Sequence, residues 1–571
     1  MAPPPSSRRD ASVWKRWIVI GAVAVTVAVP FALRPKRPSA ARADDTVVIV
    51  TPHNEAIRAE YARGFETWYR NRTGRTVSVD WRVLGGTSEI ARFLEGEYVA
   101  AFQNLWVRKM GKTWSAEIQA GFQSDRAGAS PAAAAARAAF LASDVGCGID
   151  IFFGGGTYDF DRQARAGRLV DSGVRARHPE WFGDDTIPAR RAGEEYRDRE
   201  DRWIGSVLSV YGIVFNRDAW ARLGFEREPQ RWEDLADPRA VGEVALADPT
   251  KSGSVAKAFE NIIQKHMQRE LTAAQTARPM AAEVAALERQ AVRRGWIDGL
   301  RLIQLMGANA RYFTDSSQKP PIDVAAGNCA AGLCIDYFGR QQQEAVQRRT
   351  SDDVAGKHAA PAAGQAGRAQ RGAVRIGYVS PAGGSVASVD PIGLLRGAKN
   401  REVAQAFIDY VLSMDGQKLW NFRPGTPGGP ERFALRRLPV RRDFYAHDEW
   451  KPWRSDPNES PYDDADPLVY RPEWTGELFR EMAFIVRVMC QDTHAELARA
   501  WRAITAAPEP RKTDALAILQ DLSAVDYDRA AGDIHRALTS KNKVDEVKLA
   551  RSLADAFRAH YARATAVAEG R

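Results

Sequence analysis

Residues 46–69 read TVVIVTPHNEAIRAEYARGFETWY: an apolar strand, a polar turn and a helix in immediate succession. Thr46 to Val50 are apolar and largely β-branched, the composition of a buried strand. Thr51-Pro52-His53-Asn54-Glu55 form the turn, and apolar side chains then recur at Ile57, Tyr61, Phe65 and Trp68, one face of a helix. In an open α/β sheet, ligands bind beyond the carboxyl ends of the strands, where helix N-terminal amides point outward. Thr51, His53, Asn54 and Glu55 are therefore candidate ligand contacts. The competing reading is that Asn54 or Glu55 only caps the helix while His53 faces solvent.

The same unit returns downstream in varied form. Thr76 to Val83 alternates as a strand and gives way to Leu84-Gly85-Gly86-Thr87-Ser88-Glu89, after which Ile90, Phe93 and Leu94 share a helical face. Gly85 and Gly86 allow close backbone approach to a ligand, and Thr87 and Ser88 offer hydroxyls or a cap. Residues from about Tyr98 to Ala142, with an alanine-rich patch, read as a helical insertion. Ile149 to Phe153 is a third strand, ending in Gly154-Gly155-Gly156-Thr157. Three successive turns of this kind predict a doubly wound α/β sheet, with Gly155 and Gly156 among its ligand contacts.

A hinge follows. WIGSVLSVYGIVFN, Trp203 to Asn216, contains no helix stop and carries Ser209, Tyr211 and Gly212 in its middle, the pattern of a strand crossing between two lobes. Val244 to Ala247 is a buried strand opening into Asp248-Pro249-Thr250-Lys251-Ser252-Gly253-Ser254, whose hydroxyls and free amides suit an anion, with simple capping as the alternative. Helices fill residues 282–307. Asp323 to Gly327 resembles a helix start, and Gly332 to Tyr337 reads as a strand presenting Asp336 and Tyr337 at its end. Residues 341–372, rich in Gln, Ala, Arg and Gly, read as a mobile loop. Arg375 to Ser380 returns as a strand, REVAQAFIDYVLSMDGQKLW (401–420) is strongly periodic, and helices follow a Pro- and Trp-rich connector from about Thr475.

The N-terminus sets the compartment. Arg8, Arg9, Lys15 and Arg16 precede an uncharged, mostly apolar run from Trp17 to Leu33, and Ala41-Arg42-Ala43 has the small residues of a cleavage site. Residues 1–43 are expected to be a signal peptide or a retained inner-membrane anchor. Either way the chain is expected in the periplasm. The rest has the apolar and charged fractions of a globular protein, 44% and 27%. Its 81 basic and 72 acidic residues are interleaved, which argues against nucleic acid despite a net charge of +9. Cys147, Cys329, Cys334 and Cys490 form neither a disulfide scaffold nor a zinc ribbon; Cys329 with Cys334 is the locally plausible bridge.

Three segments carry a resemblance: the strand with its TPHNEA turn, ADPTKSGS at 247–254, and YVSPAGGSVASVDPIGLLRGAKNREVAQAFIDYVLSMDGQKLW at 378–420. Together they resemble the type II periplasmic solute-binding proteins of ABC transporters, in the branch of ferric-iron-binding proteins, over roughly Thr46 to Tyr445. The resemblance implies two α/β lobes joined by two crossover strands and closing on a ligand like a hinged trap. The expected divisions are 44–205 for the first part of lobe 1, 206–375 for lobe 2, 376–450 for the return to lobe 1, and 451–571 for a helical C-terminal extension. It implies a monomer that hands a solute to an ABC permease in the inner membrane, with no cofactor required and no enzymatic activity. Iron-binding relatives take a His and a Glu from the first two turns and two adjacent tyrosines from lobe 2. Here His53, Glu89 and Tyr337 stand in comparable segments, while Asp336 fills the first tyrosine position. Ferric iron or a ferric chelate is one expected cargo, on His53, Glu89, Asp336 and Tyr337. A small anionic or polar organic solute is the other, with Thr87, Ser88, Thr250 and Ser252 holding its carboxylate or phosphate.

Two alternatives from other classes remain at this stage. A retained Trp17–Leu33 segment would make the protein a membrane-tethered ligand sensor. An exported hydrolase would need a nucleophile and base, yet the chain has no Gly-x-Ser-x-Gly, no His-Glu-x-x-His and eight histidines in all.

Overall fold

Asp45–Val50 pairs in parallel with Val77–Arg82 along its whole length, and with Ile151–Phe153 through Ile49 and Val50. The three turns after these strands therefore lie at one edge of one sheet. The computed structural model describes residues 43–124, 130–276, 284–356, 375–463, 467–540 and 542–571. The expected leader lies outside these residues but for Ala43. Among the described residues, no helix is long and apolar enough to cross a membrane.

The first sheet runs Leu438–Pro439, Ile204–Ser209, Ser388–Leu395, Ile151–Phe153, Asp45–Val50, Val77–Arg82, with Leu169–Val170 paired to Ser388–Leu395. The second runs Ala310–Thr314, Val244–Ala247, Ala331–Ile335, Tyr211–Asn216, Ile376–Val379. The chain crosses between them twice. Ile204–Ser209 leaves the first sheet, and after the single residue Val210 the chain enters the second as Tyr211–Asn216. It returns between Ile376–Val379 and Ser388–Leu395. The expected hinge strand is thus two strands, because the backbone partners change at Val210. This is the two-lobed α/β architecture with two crossovers.

Local chemistry sets each element. Helix Glu55–Thr73 is capped by Asn54, whose side chain accepts from the Ile57 amide, and ends where Gly74 turns left-handed at φ 72°. Ile57, Tyr61, Phe65 and Tyr69 are its buried face. That face joins Trp203, Ile392, Phe407 and Trp420 in the first lobe's core. Each such large side chain contributes about 1.5–3 kcal/mol on burial.

The second core unites Trp232, Phe259 and Trp296 of lobe 2 with Met482, Ile485, Trp501 and Tyr561 of the C-terminal segment. The Trp296 indole donates to the Val525 carbonyl at 2.9 Å, the Gln304 amide to the Leu519 carbonyl at 3.0 Å, and the Trp501 indole to Asn309 at 2.8 Å. The C-terminal helices are therefore an outer layer of lobe 2 with no separate core.

Three local readings are corrected. Residues 341–356 continue a helix, Asp336–Gly356, where a loop was expected; residues 357–374 of that expected loop lie outside the described residues. The run GRQQQEAVQRR consists largely of good helix formers, so its polar composition concealed its propensity. Asp323 does not start a helix: Lys319–Ala326 ends at Gly327, which is left-handed. Finally, all four cysteines are free. Cys329 and Cys334 are buried, and the Cys329 thiol points to the Tyr312 hydroxyl at 3.8 Å.

Candidate functional site

Where the two sheets meet, the turns expected from the sequence face one another. A β-carbon on Gly86 of lobe 1 would fall 2.6 Å from the Lys251 carbonyl oxygen of lobe 2. Asp159, in the first turn of helix Thr157–Arg165, accepts from the Ser88 hydroxyl at 3.2 Å. Its carboxylate oxygen lies 3.9 Å from where a Gly253 β-carbon would stand, at the start of helix Gly253–Thr276. Burial pushes the Asp159 carboxyl above its usual range. The lobes are thus closed rim to rim.

His53 is buried. Its Nε2 stands 3.5 Å from Asp390 Oδ2, its ring lies edge-on to Phe153 at 4.6 Å, and Gly154 packs against the imidazole. Gly154 has φ 88°, and a β-carbon there would lie 2.4 Å from His53 Nε2, so glycine is required both for the backbone and for the imidazole. Burial pushes the His53 pKa down, keeping the ring neutral. Thr51 is also buried; its hydroxyl accepts from the His53 amide at 3.1 Å and so sets the turn.

Asp390 lies where the register of Ser388–Leu395 slips against Ile204–Ser209, between Asp390 and Pro391. Proline has no N–H for the ladder, and an irregular register tolerates it. Asp390 Oδ1 accepts from Arg437 Nη2 at 2.9 Å and from the Ser209 hydroxyl at 3.1 Å. Burial alone would raise this carboxyl, but the Arg437 guanidinium and His53 outweigh it and hold the pKa at about 2. Arg437 is fully buried, with its guanidinium carbon 4.4 Å from the Tyr337 ring centre and 5.5 Å from that of Trp420.

The lobe 2 side is built from Tyr211, Asp336 and Tyr337. The Tyr211 hydroxyl meets Ser388 Oγ at 3.2 Å, and its amide donates to Ser385 Oγ at 2.9 Å. Asp336 opens helix Asp336–Gly356, donates its amide to the Val210 carbonyl, and pairs with Arg340 at 3.3 Å. Burial pushes the Asp336 carboxyl up to about 6 against the pull of Arg340 and Arg437. Burial also pushes the Tyr337 phenol up, holding it protonated.

The remaining predicted residues serve the turns themselves. Asn54 caps its helix and Glu55 is exposed. Glu89 reaches back to the Gly86 amide at 2.9 Å, with Gly85 at φ 112° packed beneath its carboxylate. Thr87 packs on Gly155, and Gly156 precedes helix Thr157–Arg165. The Thr250 amide and hydroxyl both donate to Asp248, and Ser252 Oγ accepts from the Val255 amide. Asp248 and Lys251 also line a cavity of about 350 Å³ with Phe313, Lys319 and, from the C-terminal layer, Gln491. Among the described residues, no three His, Cys, Asp or Glu side chains gather as a metal ion would need.

Sequence reasoning missed Asp390, Arg437, Trp420 and a second buried cluster. Lys257 Nζ lies 2.6 Å from Glu194 of lobe 1 and 2.9 Å from Glu260, over the Tyr470 ring at 3.4 Å. Burial opposes the Lys257 charge, but the two carboxylates prevail and hold it protonated. Glu194 rises above its usual range through burial. Nothing local marks these residues: Arg437 stands in ALRRLPVRR, a run that reads as a solvated basic segment.

Residues 149–432 match the model for bacterial extracellular solute-binding proteins. An uncharacterized protein of Haemophilus influenzae is 24% identical over 271 residues, spanning 47% of this chain and 60% of that protein. Among solved structures, the periplasmic binding protein AfuA from Actinobacillus pleuropneumoniae, with exogenous fructose-6-phosphate bound, is 16% identical over 66% of this chain and 81% of its own, with a TM-score of 0.39. The periplasmic binding protein P5PA is 16% identical over 77% and 95%, with a TM-score of 0.44. Iron-bound HitA from Pseudomonas aeruginosa is 15% identical over 78% and 99%, with a TM-score of 0.42. Through residues 149–432, this chain is thus similar to the bacterial extracellular solute-binding proteins.

Proposed function

We propose that this protein is the exported solute-binding component of an ABC import system, a monomeric carrier without catalysis of its own. It captures a small solute between its lobes and delivers it to a permease in the inner membrane. The observation that carries this reading is the apposition of two sheet edges across two crossovers, Gly86 against Lys251 and Asp159 against Gly253. A hinge of two strands lets such edges part and close, so a ligand bridging them shifts the balance toward the closed form.

Between the two expected cargoes, a small anionic or polar organic solute is favoured over ferric iron. Glu89 is engaged by the Gly86 amide and Asp336 by Arg340. A hard ferric ion needs anionic oxygen donors converging on one point. Mass spectrometry and elemental analysis of whatever copurifies, with thermal-shift screening of organic acids, sugar phosphates and ferric citrate, test the proposal. A solute that raises the melting temperature in proportion to its concentration supports it, since ligand bound only to the folded state stabilises it. A protein that copurifies with nothing and responds to no solute refutes it.

A further inference from the structure

The floor of the cleft holds more hydrogen-bond donors than acceptors. Arg437 spends Nη2 on Asp390 at 2.9 Å and on the Ser209 hydroxyl at 2.6 Å. Its Nε and Nη1, fully buried, have no hydrogen-bond partner, and neither does the buried indole nitrogen of Trp420. A guanidinium carries one hydrogen on Nε and two on Nη1, and an indole nitrogen one, so all four N–H groups are donors only. Asp390 is already engaged through Oδ1, and its Oδ2 faces His53. One nearby acceptor, Asp336 Oδ1, is also unpartnered. A single carboxylate oxygen cannot serve four donors, and leaving a buried donor unpaired costs about 1–3 kcal/mol each.

The location makes this imbalance a ligand site. Ser209 ends the first crossover strand and Asp390 begins the second half of the return, while Tyr337 comes from lobe 2 and Trp420 from lobe 1. Arg437 is thus placed at the seam by the connector that follows the family-matched segment. The guanidinium lies against the Tyr337 ring of lobe 2 and the Trp420 ring of lobe 1, so parting the lobes would uncover it.

We propose that Arg437 is the anion anchor of the cleft: its unpartnered Nη1, assisted by the unpartnered Trp420 indole N–H, receives a carboxylate or phosphate oxyanion of the captured solute. This rests on the reading of the protein as a solute carrier and assigns the chemistry of its cargo. A permanently charged guanidinium with unpartnered N–H groups in low dielectric selects an oxyanion over a neutral ligand.

Calorimetric titration with succinate, inorganic phosphate and neutral glucose tests the anchor and separates the two oxyanion classes. Wild-type protein is expected to bind succinate or phosphate and not glucose. Arg437→Gln should weaken that binding about a hundredfold, and Arg437→Lys, which keeps the charge but not the guanidinium's donor array, by an intermediate factor. Trp420→Phe removes the indole N–H together with its five-membered ring while keeping an aromatic side chain in the core, and a melting curve establishes that it is folded; it should weaken binding about tenfold. Unchanged dissociation constants in Trp420→Phe, or in a folded Arg437→Gln, overturn the anchor. A wild-type protein that binds glucose or ferric citrate but neither anion overturns it too, while leaving solute capture intact; one that binds no solute at all refutes both.

Discussion

Replacing Lys257 by methionine probes how firmly the lobes are joined. Lys257 reaches Glu194, in the hairpin Arg190–Glu195 of lobe 1, from helix Gly253–Thr276 of lobe 2. The side chains of Lys257, Glu194 and Glu260 are 10%, 2% and 1% exposed. Glu260 keeps partners without the lysine, since the Tyr470 and Thr475 hydroxyls both donate to it, at 3.1 and 2.5 Å. Glu194 has no comparable substitute and becomes a buried, uncompensated carboxylate. Removing one member of a buried ion pair costs about 3–5 kcal/mol, far more than an exposed pair would. The sign with pH follows from the same charge. Burial already raises the Glu194 pKa, and losing Lys257 raises it further. The folded variant then binds a proton the unfolded chain releases near pH 4.5, so its stability recovers as the pH falls from 7 toward 5. Adding Glu194→Gln removes the orphaned charge and should restore about half of the loss. Urea unfolding followed by the fluorescence of the 16 tryptophans, at pH 7.5 and 5.5, measures the wild type and both variants. A Lys257→Met cost below about 1 kcal/mol, or a double variant no more stable than the single one, would refute the buried-bridge account.

Three other variants address separate parts of the site. Asp336→Asn should flatten the pH dependence of stability: with its pKa raised from 3.8 to about 6, Asp336 contributes stability fully below pH 3.8 and loses it as the pH rises through 6. The difference in slope between wild type and variant amounts to about 3 kcal/mol over that window, and identical slopes would be contrary. Gly154→Ala should cost about 2–4 kcal/mol, because a β-carbon at φ 88° would strike His53 at 2.4 Å, whereas Gly156→Ala meets nothing within 4 Å and should be near neutral; comparing their urea midpoints decides it. Glu60→Ala removes the acceptor for the amides of Glu431, Arg432 and Phe433, which anchor the segment leading to Arg437. It should cost about 3 kcal/mol and speed amide exchange at 431–433; unchanged exchange would show that other contacts hold the segment.

Much of the first lobe was legible because its signals are local. The β-branched run at 46–50, the Asn54 cap and the period through Ile57, Tyr61 and Phe65 each act within a few residues, and the structure has Asp45–Val50 and Glu55–Thr73 there. Val244–Ala247 likewise matches its expected bounds. The loop expected after Gln341 failed because polarity outweighed helix propensity in the reading, and the Cys329–Cys334 bridge failed because the strand Ala331–Ile335 carries the chain away at about 3.3 Å per residue, beyond disulfide reach.

The sequence by itself determined the alternation of strands and helices and the turns at the strand ends, since these follow from periodicity, β-branching and capping over short spans, while the two-lobed class came from the family resemblance. Only the tertiary structure decided what those turns touch. Arg437 meets Ser209 across 228 residues, and whether an arginine in a basic run is solvated or fully buried depends on the connector's path back over the hinge. In the same way, an amphipathic helix announces an apolar face but not its partner, so only the folded chain shows the C-terminal helices completing the core of lobe 2. Burial, which is a property of the closed structure and not of any segment, turned ordinary charged residues into a site.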